Sequence, residues 1–226
     1  GTMWGAQVSE ALQSAIDQGL IPPTIVIGPE VNVDDSEHDC ADLPGRPPVF
    51  TWVTKDVPAM IKANFPNVST ERAAWMIAGF SSGAYCAVWT AMRAPEVFGS
   101  AASLSGYNTQ IEGEMKRQGQ QYLADNTLST MLANRTPDGL RIYAMAAQDD
   151  AVGGAPAVGL PSAPPPPSGA PGIPGASFGM GRYNAPASSR SARRSAPSSP
   201  SSTSPAKIIG WILFALLFIV IRALNG

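Results

Sequence analysis

Gly79-Phe80-Ser81-Ser82-Gly83 sets a serine between two glycines in the pattern G-x-S-x-G, the spacing at which a hydroxyl is presented as a nucleophile. The chemistry would be attack on a carbonyl carbon with transfer of the acyl group to Ser81, which needs a base for the hydroxyl proton and N–H donors for the oxyanion. So short a pattern recurs by chance in Gly- and Ser-rich chains, and an ordinary glycine-rich strand-to-helix turn is the alternative. Its flanks make it more specific: the apolar segment Ala73 to Ala78 (AAWMIA) runs in and Ser82 to Arg93 runs out as a helix, the strand, sharp turn and helix of a nucleophile elbow. In so tight a turn a Cβ at either glycine would collide with the adjoining strand or helix. Ser81 Oγ would then stand above the sheet edge, with the Ser82 N–H at the helix N-terminus aimed at an oxyanion.

The elements that must position this turn read as alternating helices and strands. Ser9 to Leu20 has apolar residues at 11, 12, 15, 16 and 20, with Ser9 as N-cap and Gly19 near the stop, and predicts an amphipathic helix. Thr24 to Ile27 (TIVI) is a short strand after Pro22-Pro23, and Thr54 to Phe65 a second amphipathic helix. Ser100 to Leu104 and Arg141 to Ala146 complete the strands. Continuous apolar strands separated by amphipathic helices predict a parallel sheet covered on both faces, an α/β fold.

The string GFSSGAYCAVWTAMRAPEVFGSAASLSGYN closely resembles the elbow and following strand of the esterase and mycolyltransferase (esterase D-like) group of α/β-hydrolases, most of all its secreted actinobacterial esterases. DQGLIPPTIVIGPEVNV and SEHDCADLPGRPPVFTWVTKDVPAMI resemble, in order, that group's segments leading to the elbow. The resemblance covers about residues 1 to 150. It implies an α/β-hydrolase fold, a serine hydrolase or acyltransferase with Ser81 as nucleophile and the Ser82 N–H as oxyanion donor, and a triad acid from the loop after the RIYAMAAQ strand. Asp149 matches that acid best and Asp150 is the fallback. A small ester or acyl-lipid substrate follows, with no cofactor.

The chain departs from that pattern at both ends. The group's order is Ser, then acid, then His, and no His follows Asp149. The sole histidine, His38, lies before the serine in the loop after TIVI. That loop emerges at the same sheet edge as Ser81, but base geometry is tightly constrained, and the expectation for His38 is a surface-loop residue. Gly175-Ala176-Ser177-Phe178-Gly179 echoes the group's Gly-His-Ser-Phe-Gly-like stretch with Ala176 in the place of the imidazole. At the front, the group's strand and His-Gly loop, source of a second oxyanion donor, would fall before Gly1. The expectation is a hydrolase fold incomplete at both ends and a poor catalyst, because losing one oxyanion donor costs about 10²- to 10³-fold in rate.

Cys40 lies in the loop after TIVI and Cys86 five residues past Ser81, and the resemblance includes both Cys-bearing strings. It implies a Cys40–Cys86 disulfide and an oxidising, extracytoplasmic location. Two buried thiols are the alternative. Two Cys and one His do not make a metal site.

Composition divides the chain at about residue 150. Residues 1–150 hold all 17 Asp and Glu against 9 Lys and Arg, a balance of −8, whereas residues 151–226 hold 6 basic residues and no acid. The negative charge of the first part, with no phosphate-binding loop or dinucleotide fingerprint, argues against nucleic acid as a partner. Twelve of the 22 prolines fall between Pro156 and Pro205 in a stretch of Ala, Ser, Gly and Pro, a composition that predicts a disordered linker over 151–206. Then Ile208 to Ile221 gives 14 uncharged residues between Lys207 and Arg222. Although about 20 residues make a full span, the run has no polar face, and a transmembrane anchor over 207–224 is the expectation.

Three functional readings stand side by side. The first is a carboxylic-ester hydrolase or acyltransferase acting through an acyl-enzyme on Ser81, tethered to the membrane outside the cytoplasm. The second is a catalytically inactive, truncated or frame-shifted homologue without its base, and the third a membrane-tethered binding protein on the same scaffold.

Overall fold

The computed structural model describes residues 8–32, 38–111, 113–134, 137–145 and 216–222. The domain through residue 145 is built as the α/β reading predicts. Helix α1 (Val8–Asp17) precedes strand β1 (Thr24–Ile27). It already includes Ser9, so Ser9 is not its cap, while Gly19 follows its end with φ +68°, as expected of a stop.

A continuous helical stretch then runs through α2 (Val49–Thr51), a π-helical turn (Trp52–Asp56) and α3 (Val57–Asn64). The wide turn has a local cause: Pro58 lacks an N–H and its ring would crowd the carbonyl four residues back. The chain opens ahead of it, so that the Val57 N–H bonds to the Trp52 carbonyl.

Strand β2 (Trp75–Phe80) leads into α4 (Ser82–Arg93), and β3 (Ser100–Leu104) follows. Three short helices, α5 (Gly113–Arg117), α6 (Gln120–Asp125) and α7 (Leu128–Asn134), come next and were not anticipated from the sequence. They precede β4 (Arg141–Met145). Every residue of α4 from Gly83 to Met92 is buried, with the helix against β2, β3 and β5 (Leu216–Arg222). Asn126 pins its outer side: its carbonyl accepts from Tyr85 Oη at 2.7 Å, and its Oδ1 accepts from Trp89 Nε1 at 2.8 Å and Arg93 Nη2 at 2.6 Å.

The sheet runs β1-β5-β2-β3-β4. Strands β2, β3 and β4 are parallel, in the register Phe80 to Leu104 to Met145, so their C-terminal ends line one edge. The sheet is less evenly covered than expected, since β4 leaves Arg141, Tyr143 and Met145 exposed.

Strand β5 corrects the reading of the terminal apolar run. Residues 216–222, placed by the sequence inside a transmembrane helix, form a strand antiparallel to both β1 and β2, with Ile219 and Ile221 fully buried. A run with no polar face suits a strand covered on both sides as well as a helix in lipid, and β-branched Ile and Val favour the strand. No helix among the described residues is long and apolar enough to cross a membrane. The linker of 151–206 and the remainder of 207–224 lie outside the described residues.

Candidate active site

Ser81 sits where β2 ends and α4 begins, with φ 55° and ψ −120°, a backbone region that a residue bearing a Cβ rarely occupies. The Ser81 N–H extends the β2–β3 ladder to the Leu104 carbonyl at 3.0 Å, and its carbonyl accepts from the N–H of Ala84 at 3.0 Å. Ser81 is thus the N-cap of α4, yet its hydroxyl makes no capping bond. An N-cap serine in extended backbone ordinarily gains about 1 kcal/mol by such a bond. Here the hydroxyl is turned to Tyr107 instead: Ser81 Oγ and Tyr107 Oη are 3.2 Å apart, with Ser81 7% and Tyr107 6% exposed. Ser82 opens α4, and its N–H is therefore one of the first-turn donors that have no acceptor within the helix. Phe80, on the other side of Ser81, is 43% exposed.

Tyr107 reaches Ser81 because the loop after β3 lies directly on α4. A Cβ at Gly106 would overlap Ser103 Oγ and come within 2.7 Å of Ala84 Cβ, so only glycine permits this approach. Ser105 before it has φ 50° and donates its N–H to the Met145 carbonyl at 2.7 Å, tying the loop to β4.

On the other flank a buried polar cluster backs the elbow. Asp39, with φ 58°, accepts from the Met115 N–H at 2.6 Å and from Gln110 Nε2. Gln110 Nε2 also lies 3.1 Å from Ser82 Oγ. Gly113 lets α5 close on that carboxylate: its φ is +82°, and a Cβ there would stand 2.5 Å from Asp39 Oδ1 and 2.6 Å from Oδ2. Burial raises the Asp39 carboxyl above its ordinary range, against the lowering effect of the Met115 N–H and the Gln110 amide. Glu114 beside it is held by Arg117 and Arg46, each at 2.7 Å, and the hydrogen bond from Arg117 is the main cause of its lowered pKa.

Cys40 and Cys86 form the disulfide expected from the resemblance, with Cα atoms 5.5 Å apart. It joins the residue after Asp39 to the second turn of α4. This bond and the buried carboxylate draw the loop inward, and His38 is 1% exposed rather than a surface residue. The hydroxyl that meets Ser81 Oγ is that of Tyr107. Ser81, Ser82, Cys40 and Cys86 are therefore brought to one sheet edge. Asp149, Asp150 and Ala176 lie outside the described residues, and no group of His, Cys, Asp and Glu among the described residues has the arrangement of a metal site. Sequence reasoning missed Tyr107, Gln110 and Asp39. Only the position of Tyr107, three residues past the end of the strand beside the elbow strand, carried a signal.

Residues 2–157 match the family model Esterase, described as "Putative esterase". The chain belongs to this esterase family. With the parallel sheet and the elbow it falls in the esterase-type group of α/β-hydrolases. Among solved structures a ferulic acid esterase is similar to it, with a TM-score of 0.50 and 14% sequence identity, covering 66% of this chain. The chain spans 62% of the length of that esterase, and the likeness is one of fold. No curated protein matches the sequence. Ser81 is the central serine of the G-x-S-x-G turn within the matched residues.

Proposed function

We propose that the chain is a carboxylic-ester hydrolase or acyltransferase that works through an acyl-enzyme on Ser81. The observation carrying this reading is the backbone of Ser81: a strained N-cap that forgoes its cap and turns its hydroxyl to Tyr107. Strain of this kind costs about 1–3 kcal/mol and is retained where the presented group has work to do. Ser81 Oγ gives up its proton to a base and bonds to the ester carbonyl carbon, and the Ser82 N–H donates to the oxyanion. The acyl C–O bond breaks as the alkoxy oxygen takes up a proton and leaves as alcohol, and the acyl group passes to water or another acceptor. The substrate class is a small ester or acyl lipid. Asp149 enters as the triad acid through the family resemblance alone. The disulfide supports an oxidising, extracytoplasmic location.

A second reading, a catalytically inactive homologue of the same fold, is favoured by one observation: among the described residues the one histidine is buried at position 38, and the group that meets Ser81 Oγ is the Tyr107 phenol. A fluorophosphonate probe separates the two. Labelling that maps to Ser81 and is absent in Ser81→Ala is expected of the esterase, whereas a folded chain that takes up no probe is the inactive homologue.

A further inference from the structure

We propose that Tyr107 is a catalytic residue of this site, its phenol serving as a side-chain oxyanion donor beside the Ser82 N–H. Tyr107 Oη lies 3.2 Å from Ser81 Oγ, the atom that attacks. In the tetrahedral adduct the new oxyanion and Oγ are bonded to the same carbon, so the oxyanion forms next to Oγ, and the phenol 3.2 Å from Oγ reaches it when the carbonyl oxygen is turned toward Tyr107. Both side chains are largely buried, and where little water reaches, a fixed donor is worth more than in bulk solvent and needs no reorganisation during reaction. The surroundings fix it. Gly106 lies against Ala84 of the elbow helix and against Ser103, and the left-handed Ser105 is bonded to β4. The phenol is therefore carried on a loop braced by both the sheet and the elbow helix.

The step balances without ionising Tyr107. Ser81 Oγ bonds to the carbonyl carbon as the C=O π pair moves onto oxygen. The Oγ proton leaves to solvent base, water or hydroxide, and Tyr107 keeps its own proton while donating it as a hydrogen bond. The proposal rests on Ser81 being the nucleophile, and the test keeps the two apart.

The rate of fluorophosphonate labelling is measured for the full chain, for Tyr107→Phe and for Ser81→Ala, with thermal unfolding as the control on folding. The expected result is labelling of the parent chain, none in Ser81→Ala, and a rate about 10²-fold lower in Tyr107→Phe at an unchanged melting temperature. An aryl boronic acid, which forms a tetrahedral adduct on the serine, should lose affinity by a similar factor. Placing 3,5-difluorotyrosine at 107 adds a readout that packing alone does not move. Its phenol ionises at lower pH, so the alkaline loss of labelling should shift to lower pH. Equal labelling of the parent and Tyr107→Phe, or an alkaline limb indifferent to fluorination, overturns the role of Tyr107 and leaves Ser81 as nucleophile. Absence of labelling in the parent overturns both.

Discussion

Cys40 is bonded to Cys86, and this one covalent link joins the loop carrying Asp39 to the helix whose first residue is Ser82. The buried carboxylate, the amide of Gln110 and the hydroxyl of Ser82 follow one another on the same side of the elbow. The back wall of the site thus depends on contacts between segments far apart in the chain.

The first prediction concerns that bond. With a sequence separation of 46 between its ends, the disulfide should stabilise the fold by about 4 kcal/mol in the chain-entropy description. Urea denaturation of the parent and of the Cys40→Ser/Cys86→Ser variant should differ by roughly that amount. Intact mass should rise by two hydrogens on reduction, and an unchanged mass would remove the pairing.

Gln110 is 2% exposed and donates to the Asp39 carboxylate. Gln110→Ala leaves a buried carboxylate short of a donor and should cost about 1–3 kcal/mol. Gln110→Glu places a second carboxylate against the first. It should be the more damaging change at neutral pH and regain stability in acid, as measured by melting temperature across pH. A Gln110→Glu variant with a pH-independent deficit would show that the amide does not face Asp39.

Asp39 sets a pH dependence with a definite sign. Burial lifts its folded pKa above the ordinary 3.8, so the folded state holds this proton more tightly than the unfolded chain. The stability tied to it is fully present below the unfolded pKa and is lost as pH rises through the folded one. Relative to Asp39→Asn, the parent should therefore lose stability with rising pH in that window. Parallel curves of unfolding free energy against pH would contradict the shift.

Ser81 carries a conformational cost that glycine avoids. With φ at 55°, Ser81→Gly should be more stable than Ser81→Ala by about 1 kcal/mol, less than the full cost of the strained backbone because glycine also loses more entropy on folding. Both variants should be silent to the fluorophosphonate probe. Calorimetric melting of the pair is the check, and equal stability would mean that the elbow is unstrained.

Much of the site was legible in the chain. The elbow strand, the helix Ser82 to Arg93 and the strand Ser100 to Leu104 follow from apolar runs, breakers and the G-x-S-x-G spacing, because these signals are local. The Cys40–Cys86 pair was legible only through resemblance, since nothing in the spacing of two cysteines says that they meet. Tyr107 stood in the sequence as an unremarked residue of a loop. It became part of the site because parallel pairing aligns Phe80 with Leu104, and glycine at 106 lets the following loop settle on α4.

The terminal apolar run shows the division most clearly. Composition determined that residues 208–221 must leave water, and it determined no more than that, because an unbroken apolar run has no period to distinguish a helix in lipid from a strand covered on both faces. What decided between them was the presence of β1 and β2, two strand edges parallel to each other and one strand apart, whose unpaired N–H and C=O groups are satisfied by 216–222. By itself the sequence determined which residues are apolar and which strand, turn and helix carry Ser81. Tertiary structure decided which backbone groups pair and which side chain meets Ser81, because hydrogen bonds across a sheet and contacts between loops join residues that no local pattern connects.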